Sequence, residues 1–366
     1  MQISIRSSGN QRTTDVELLM MTIQSSRRER PLHSKLVLPV FGVLLVASFL
    51  AALCIGRYSV PVGDVVSALW NSMTGQEGMS SGNNAFGVVI GLRLPRALEA
   101  ILVGSALSLS GASYQGVFRN PLVAPDILGV STGSCVGASV AILLSSSSAI
   151  TQLFAFAGGM ISVIIAILIP RVMHNNSTVI LVLSGIIVNG IGTSFLALVK
   201  YIADPDTQLA QITYWQLGSI AKSEPRNIIV FGPVIFMCSL LLILMRWQLN
   251  VLSAGEQDAR MLGIPARRSR TEVIVFATLL TSSAVCLAGT VAWVGLVVPH
   301  VCRAIIGPDN RRLLPASLLL GGVFLLFIDT LARSLTGAEL PLGVLTGFIG
   351  APFFFGVLLK QKAHLA

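Results

Sequence analysis

The chain of 366 residues is 53% hydrophobic and only 11% charged, with a formal net charge of +9 and a mean hydropathy of +0.79. A soluble domain carries about 25% charged residues, so this chain is too poor in charge to cover a surface that faces water. A nucleic-acid-binding protein would need a basic soluble face, and the sequence offers none. The composition therefore predicts a protein whose surface faces membrane lipid.

The first residues, 1–35, are polar and carry the basic residues Arg27, Arg28 and Arg30. No A-x-A site follows them, so we interpret this segment as a disordered cytoplasmic tail and not as a cleavable signal peptide. From residue 36 to residue 366 the chain reads as one transmembrane domain, in which apolar runs recur.

These runs are about 18 to 22 residues long, which is the length of a helix that crosses a hydrocarbon core. They cover residues 36–56, 97–118, 127–144, 153–170, 179–199, 228–245, 272–293, 294–306, 313–335 and 340–359. The eighth run is short and contains Pro299, where we expect a break, so it is either a full span or a re-entrant segment. The predicted fold class is an all-α polytopic membrane protein with about ten transmembrane helices.

An even number of crossings puts both termini on one side, and the basic residues select that side. With the N-terminus in the cytoplasm, most of the 25 Lys and Arg residues fall on the cytoplasmic side, as the positive-inside rule requires. Arg93, Arg96 and Arg333 are exceptions that fall on the outer side. They are either interfacial anchors whose side chains snorkel, or a basic platform for an acidic partner, and Asp329 stands at helical spacing from Arg333.

The second and third runs are separated by a polar stretch inside "YQGVFRNPLVAPDILGVSTGS", which starts at Tyr114. Pro121 and Pro125 are expected to stop the flanking helices. Asp126 is predicted at the N-terminus of the third helix, where a carboxylate is favourable. With Asn120, these residues form a predicted rigid corner at the cytoplasmic face, or else a surface for contact with a partner.

Small and polar residues share one face of the fifth run, at Gly185, Asn189 and Thr193. Such a stripe serves close helix packing or lines a water-filled path. The last run repeats the pattern at Gly343, Thr346, Gly347 and Gly350.

The longest cytoplasmic connection contains "NVLSAGEQDARMLGIPARRSR", which starts at Asn250. Ser253 and Glu256 have the spacing of a capping box, which predicts a short helix over residues 257–262. Gly263 suits a left-handed C-terminal cap, and Pro265 prevents continuation. This helix is either an ordinary amphipathic connector or a docking element for a soluble partner.

The chain shows no energy source of its own, since it has no phosphate-binding loop and no nucleophile elbow. His300 and Cys302 lack further ligands at suitable spacing, so we expect no metal site, cofactor or catalytic residue. A transporter energised by a partner is one functional class. An ion-coupled secondary transporter is another, and its ion sites would have to be the intramembrane carboxylates Glu99 and Asp329.

Several segments in this order resemble a known family: "LRLPRALEAILVGSALSLSGASYQGVFRNPLVAPDILGVSTG", "YWQLGS", "GEQDARMLGI", "GLVVPHVCR", "DTLAR" and "ELPLGVLTGFIGAPFFFGVLLK". Together they resemble the FecCD-type permeases, which are the transmembrane subunits of type II ABC importers for iron siderophores, haem and vitamin B12. The resemblance covers nearly everything from residue 36 onward.

The resemblance implies a vitamin B12 importer-like permease fold in the bacterial inner membrane. It also implies partners: two ATPase subunits that bind ATP and Mg, a second permease copy or a related permease, and a periplasmic or lipid-tethered binding protein. A ferric siderophore is the expected cargo, with haem or cobalamin as alternatives.

The family's functional residues can be carried over to matching positions. Coupling to the ATPase falls in segment 250–266, on Ser253, Gly255, Glu256, Arg260, Leu262 and Gly263. Docking of the binding protein falls on Arg93, Arg96 and Arg333. The fifth and tenth spans would line the path, at Asn189, Thr193, Thr346 and Gly347. The corner of Asn120, Pro121, Pro125 and Asp126 would lie at the cytoplasmic gate, or else contact the ATPase.

Overall fold

The computed structural model describes residues 36–75, 83–174, 177–221, 224–336 and 339–365, and these residues form helices and no strands. The predicted tail over residues 1–35 lies outside the described residues. The helices are α1 (Val37–Cys54), α2 (Val62–Thr74), α3 (Asn83–Phe86), a π-helix (Gly87–Arg93), α4 (Leu94–Phe118), α5 (Val130–Leu143), α6 (Ser148–Val172), α7 (Thr178–Ile202), α8 (Gln208–Leu217), α9 (Pro225–Leu244), α10 (Arg246–Ala254), α11 (Glu256–Met261), α12 (Ala266–Ala288), α13 (Val294–Ile306), α14 (Asn310–Ser334) and α15 (Leu342–Leu365).

Helix α4 is the centre of the bundle, because it packs against α12, α13 and α14 and nearly all of its side chains are buried. Its sequence is rich in Gly and Ser, which lets neighbouring backbones approach closely. A Cβ added at Gly104 would collide with the carbonyl oxygen of Gly321 on α14. The glycines are therefore what allows α4 and α14 to cross.

Within the described ranges, six helices are long and apolar enough to cross a membrane: α1, α6, α7, α9, α12 and α14. Helices α5 and α13 and the first part of α15 are apolar but shorter. Helix α4 has 25 residues, and its burial inside the bundle removes the need for an apolar surface. The structure thus confirms an all-helical protein with several membrane spans, while a count of about ten stays a prediction.

Some predicted boundaries were wrong. The seventh run does not continue to residue 293, because α12 ends at Ala288 and Gly289 follows it with a φ of 68°. Helices α2 and α8 were not predicted, since neither contains an apolar run of spanning length.

The predicted break at Pro299 was also wrong, because α13 runs through this residue. Proline cannot donate the hydrogen bond to the carbonyl four residues earlier, which here belongs to Gly295. The Nε2 group of Gln115 donates to that carbonyl instead, at 3.4 Å. A side chain from α4 thus replaces the missing backbone donor.

Candidate functional site

A cavity of about 500 Å³ lies between α4, α5, α7, α8 and the connection from α12 to α13. It brings together two sets of residues that the sequence treats separately. Pro125 and Asp126 come from the predicted gate corner, and Thr193 comes from the predicted path. The described residues that line it also include Ser131, Thr132, Cys135, Gln216, Thr281, Thr290 and Trp293.

The other predicted path residues are not among those that line this cavity. Asn189 Oδ1 accepts a hydrogen bond from Thr132 Oγ1 at 2.6 Å, and Thr132 lines the cavity. Thr346 has no exposed surface, and its hydroxyl donates to the carbonyl of Gly343 at 3.2 Å. A Cβ at Gly347 would lie 4.0 Å from Nε1 of Trp293, a cavity residue. In this conformation Asn189 and Gly347 lie next to residues of the cavity wall, Thr346 is buried, and the place of all three on a transport path stays a prediction.

The stretch from Arg119 to Gly129 connects the cavity to the short helices α10 and α11. Arg119 ends α4 in the left-handed conformation, with a φ of 52°, and its Nη1 would lie 3.8 Å from a Cβ at Gly255. Asn120 follows it and accepts a hydrogen bond from Leu122 N at 2.9 Å, which forms a tight turn. Pro125, at the other end, is buried against Gly295.

The predicted position of Asp126 at a helix N-terminus was wrong. Helix α5 starts only at Val130, with Gly129 as its N-cap at a φ of 84°. Asp126 instead begins a turn, in which its carbonyl accepts a hydrogen bond from Gly129 N at 2.8 Å. These turns bring the ring of Pro125 into contact with the backbone of Gly295.

Gln115 joins three parts of this region through a single side chain that is 3% exposed. Its Nε2 donates to Val123 O at 3.3 Å and to Gly295 O at 3.4 Å. Its Oε1 accepts from Arg303 Nη2 at 2.8 Å. The end of α4, the connection that follows it and both ends of α13 are thereby held together.

The predicted coupling segment forms two short helices, α10 and α11. The predicted capping box was wrong, because Ser253 lies in the last turn of α10 and its hydroxyl donates to Asn250 O at 2.7 Å. Gly255 occupies the N-cap of α11, so no side chain caps this helix. Glu256 is its first residue.

The predicted end of this short helix is confirmed. Gly263 has a φ of 72°, its N–H donates to Arg260 O at 3.0 Å, and Ile264 N donates to Ala259 O at 2.9 Å. These two bonds form a Schellman motif, and the buried pair Ala259 and Ile264 supplies its hydrophobic contact. This motif therefore fixes the C-terminal end of α11.

The surface of these two helices is unusually apolar. Met261 is 78% exposed, Leu262 59% and Trp247 43%. They border an open groove of about 410 Å³, which Asn250, Val251, Ala254 and Asp258 also line. We call this the coupling surface; Arg260 lies exposed beside it. Contiguous exposed apolar side chains indicate either a membrane or a protein contact.

Arg93, Arg96 and Arg333 form a buried cluster, with 6%, 9% and 8% of each residue exposed. Arg96 makes two ion pairs, from Nε to Asp329 Oδ1 and from Nη1 to Glu339 Oε1, each at 2.8 Å. Arg333 Nε lies 3.7 Å from the other oxygen of Asp329. We call these five residues the arginine cluster.

Two of these arginines also close the end of α1. Arg93 donates to the carbonyls of Leu53 at 2.6 Å and Cys54 at 2.9 Å, and also to that of Tyr58. Arg333 donates to the carbonyl of Ala52. The last carbonyls of a helix lack backbone partners and carry partial negative charge, so a guanidinium stabilises them.

This burial does not fit side chains that snorkel to a membrane surface, because the guanidinium groups bind atoms of their own chain. The role of Arg93, Arg96 and Arg333 in docking a partner stays a prediction. Glu339 is the accessible member of the cluster, since its side chain is 32% exposed.

Comparisons with known proteins agree on one family. The model of the FecCD transport family matches residues 44–360. The molybdate import system permease protein MolB of Haemophilus influenzae is 37% identical over 327 residues, which are 88% of this chain and 96% of that protein. The cobalamin import system permease protein BtuC of Halobacterium salinarum is 40% identical over 282 residues, which are 76% of this chain and 75% of that protein.

A solved structure agrees with these relatives. It is a transporter of the metal-chelate ABC type in an inward-facing conformation, and one of its chains matches with a TM-score of 0.80 and 34% sequence identity. The match covers 89% of this chain and 99% of that one. The chain, a multi-pass membrane protein with a central cavity, belongs to the FecCD transport family of ABC transporter permeases.

Proposed function

We propose that this chain is the transmembrane permease subunit of an ATP-driven, binding-protein-dependent importer. It would cross the bacterial cytoplasmic membrane about ten times, with both termini in the cytoplasm. The observation that carries the proposal is the connection between two sites: residues 119–129 run from the coupling surface to the central cavity. A channel without an external energy source has no need for such a link.

The coupling surface is proposed to bind an ATPase. The exposed side chains of Met261, Leu262 and Trp247 form an apolar patch of the kind that marks a protein contact. The predicted coupling residues Ser253, Gly255, Arg260 and Gly263 shape or flank this patch. ATP and Mg would be bound by two partner ATPase subunits, and this chain would contribute no catalytic residue and hold no cofactor.

Movement at the coupling surface has a direct route to the cavity. Arg119 lies beside Gly255, and the turn that follows it ends at Pro125, which packs on Gly295 in the cavity wall. Gln115 ties the same turn to Arg303 on α13. ATP binding in the partner would then open the cavity to one side of the membrane and close it to the other.

A charge placed on the coupling surface tests the proposal. Met261→Glu should abolish ATP-driven uptake by the reconstituted complex and release the ATPase subunits on gel filtration, because a carboxylate cannot be desolvated in an apolar contact. Met73→Glu is the matched control, because Met73 on α2 is 87% exposed and lies outside the coupling surface. Equal uptake by the two variants would refute the assignment.

The arginine cluster is proposed to meet acidic residues of a periplasmic or lipid-tethered binding protein. Because the guanidinium groups are buried, an incoming carboxylate would have to replace Glu339 on Arg96. Glu339→Gln should therefore tighten binding of the binding protein several-fold, measured by titration in nanodiscs. Unchanged or weaker binding would remove the cluster from the docking site.

A ferric siderophore or another iron chelate is the proposed cargo, with haem or cobalamin as the second candidate. Support comes from relatives whose names specify cobalamin import and from a matching structure of the metal-chelate type. The complex would contain two permeases, either identical copies or this chain and a related one.

An ion-coupled transporter is the competing class. Its candidate ion site Asp329 lies between Arg96 and Arg333, which hold its charge in place. Uptake that follows an ion gradient and persists without ATP or any ATPase subunit would favour this class over the proposed one.

A further inference from the structure

The described lining of the central cavity contains one acidic residue and no Lys or Arg. Its polar lining consists of neutral hydroxyl and amide groups, and among the described residues that line it Asp126 alone carries a formal charge. Asp126 is exposed. Within the described part of the chain, no Lys or Arg nitrogen lies within 4 Å of its carboxylate. Asp126 is therefore the one acidic side chain among the described lining residues and forms no ion pair there, while the charge of Lys200 acts on Cys135 elsewhere in the lining.

The turn does not require this carboxylate, which interacts with the N–H group of its own residue. The turn at residues 126–129 is closed by the main-chain carbonyl of Asp126, and any residue has such a carbonyl. Helix α5 begins four residues later, with Gly129 as its cap. The shape of the corner thus does not depend on a charged side chain at this position. The side chain of Asp126 lines the space that solutes would occupy.

We infer that Asp126 sets the charge preference of the cavity, which admits neutral and cationic solutes and disfavours anions. A charge in a cleft with low-dielectric walls acts more strongly than in open water, and it changes the local concentration of charged solutes. If the chain is the importer subunit proposed above, its cargo is a neutral or cationic chelate and not a free oxyanion. Molybdate, the cargo in the name of one relative, belongs to the disfavoured class.

The test measures this preference without transport. In the full chain, the five cysteines are replaced by Ala, since Cys135 itself lines the cavity. Thr193→Cys then places a thiol in the cavity wall. Its reaction rates with cationic aminoethyl methanethiosulfonate and anionic sulfonatoethyl methanethiosulfonate are compared in detergent, with Ser72→Cys on the exposed surface of α2 as the reference thiol.

The cation-to-anion rate ratio at Thr193→Cys should exceed the ratio at Ser72→Cys at least tenfold, which corresponds to about 1.4 kcal/mol. Asp126→Asn should remove this excess, and Asp126→Glu, which keeps the charge, should preserve it. A ratio that Asp126→Asn leaves unchanged would overturn the inference. No reaction of Thr193→Cys with either reagent would also overturn it, because the cavity would then be closed to charged solutes.

These measurements need neither ATP nor a partner protein. Failure of the import proposal would show in ATP-driven uptake and would leave the rate ratios readable, so the two ideas can fail separately.

Discussion

Asp329 is the residue at which a small change should have the largest effect on stability. It is 1% exposed and lies between two buried guanidinium groups, with Arg96 Nε at 2.8 Å and Arg333 Nε at 3.7 Å. In Asp329→Asn the side-chain oxygen can still accept from Arg96. The variant therefore removes the charge and leaves the size of the side chain unchanged.

The expected cost follows from burial. Removing one partner of a buried ion pair leaves an uncompensated charge in a low dielectric, which costs about 3–5 kcal/mol. Glu339 binds the same Arg96 at 2.8 Å, but its side chain is 32% exposed. Water can replace its charge in Glu339→Gln, so that variant should lose about 1 kcal/mol or less.

Thermal unfolding in detergent, followed by size-exclusion chromatography of heated samples, compares the two variants. At roughly 2–4 °C per kcal/mol, Asp329→Asn should lower the midpoint by on the order of 10 °C and Glu339→Gln by only a few degrees. If both variants lowered the midpoint equally, the arginine cluster would not depend on a buried counter-charge, and this reasoning would be wrong.

Two further predictions concern the helix contacts. Gly104→Ala should destabilise the protein by about 1–3 kcal/mol, because the new Cβ collides with the carbonyl of Gly321. The control Gly42→Ala, where a Cβ meets nothing within 4 Å, should be neutral or slightly stabilising. Equal thermal unfolding midpoints for the two variants would contradict the close crossing of α4 and α14. Thr132→Val and Asn189→Ala should each lower the free energy of unfolding by about 1 kcal/mol. Together they should lower it by less than the sum, because they remove the same 2.6 Å hydrogen bond. Strict additivity in a double-mutant cycle would show that this bond contributes nothing to stability.

The sequence predicted helices well where a continuous apolar run made the helix. Helix α1 spans Val37–Cys54 against a predicted 36–56, and α13 spans Val294–Ile306 as predicted. The left-handed cap at Gly263 was also predictable, because it depends on residues that are neighbours in sequence.

The errors arose where a distant segment decides the outcome. Ser253 resembled an N-cap, but α10 packs against α14 and continues through it. Pro299 resembled a break, but Gln115 supplies a donor from another helix. The arginine cluster was expected at a surface because nothing local shows that Asp329 and Glu339 converge on Arg96. Each of these contacts joins residues that lie far apart along the chain.

Gln115 shows how narrowly one position can be specified. The site requires two donated hydrogen bonds, to Val123 O and Gly295 O, and one accepted from Arg303. A glutamate lacks the donors, a lysine lacks the acceptor, and an asparagine has the right groups on a shorter stem. Saturation mutagenesis under selection for uptake should therefore return the wild-type residue here. The constraint is one of hydrogen-bonding valence and reach, and it would hold whatever solute passes through the protein.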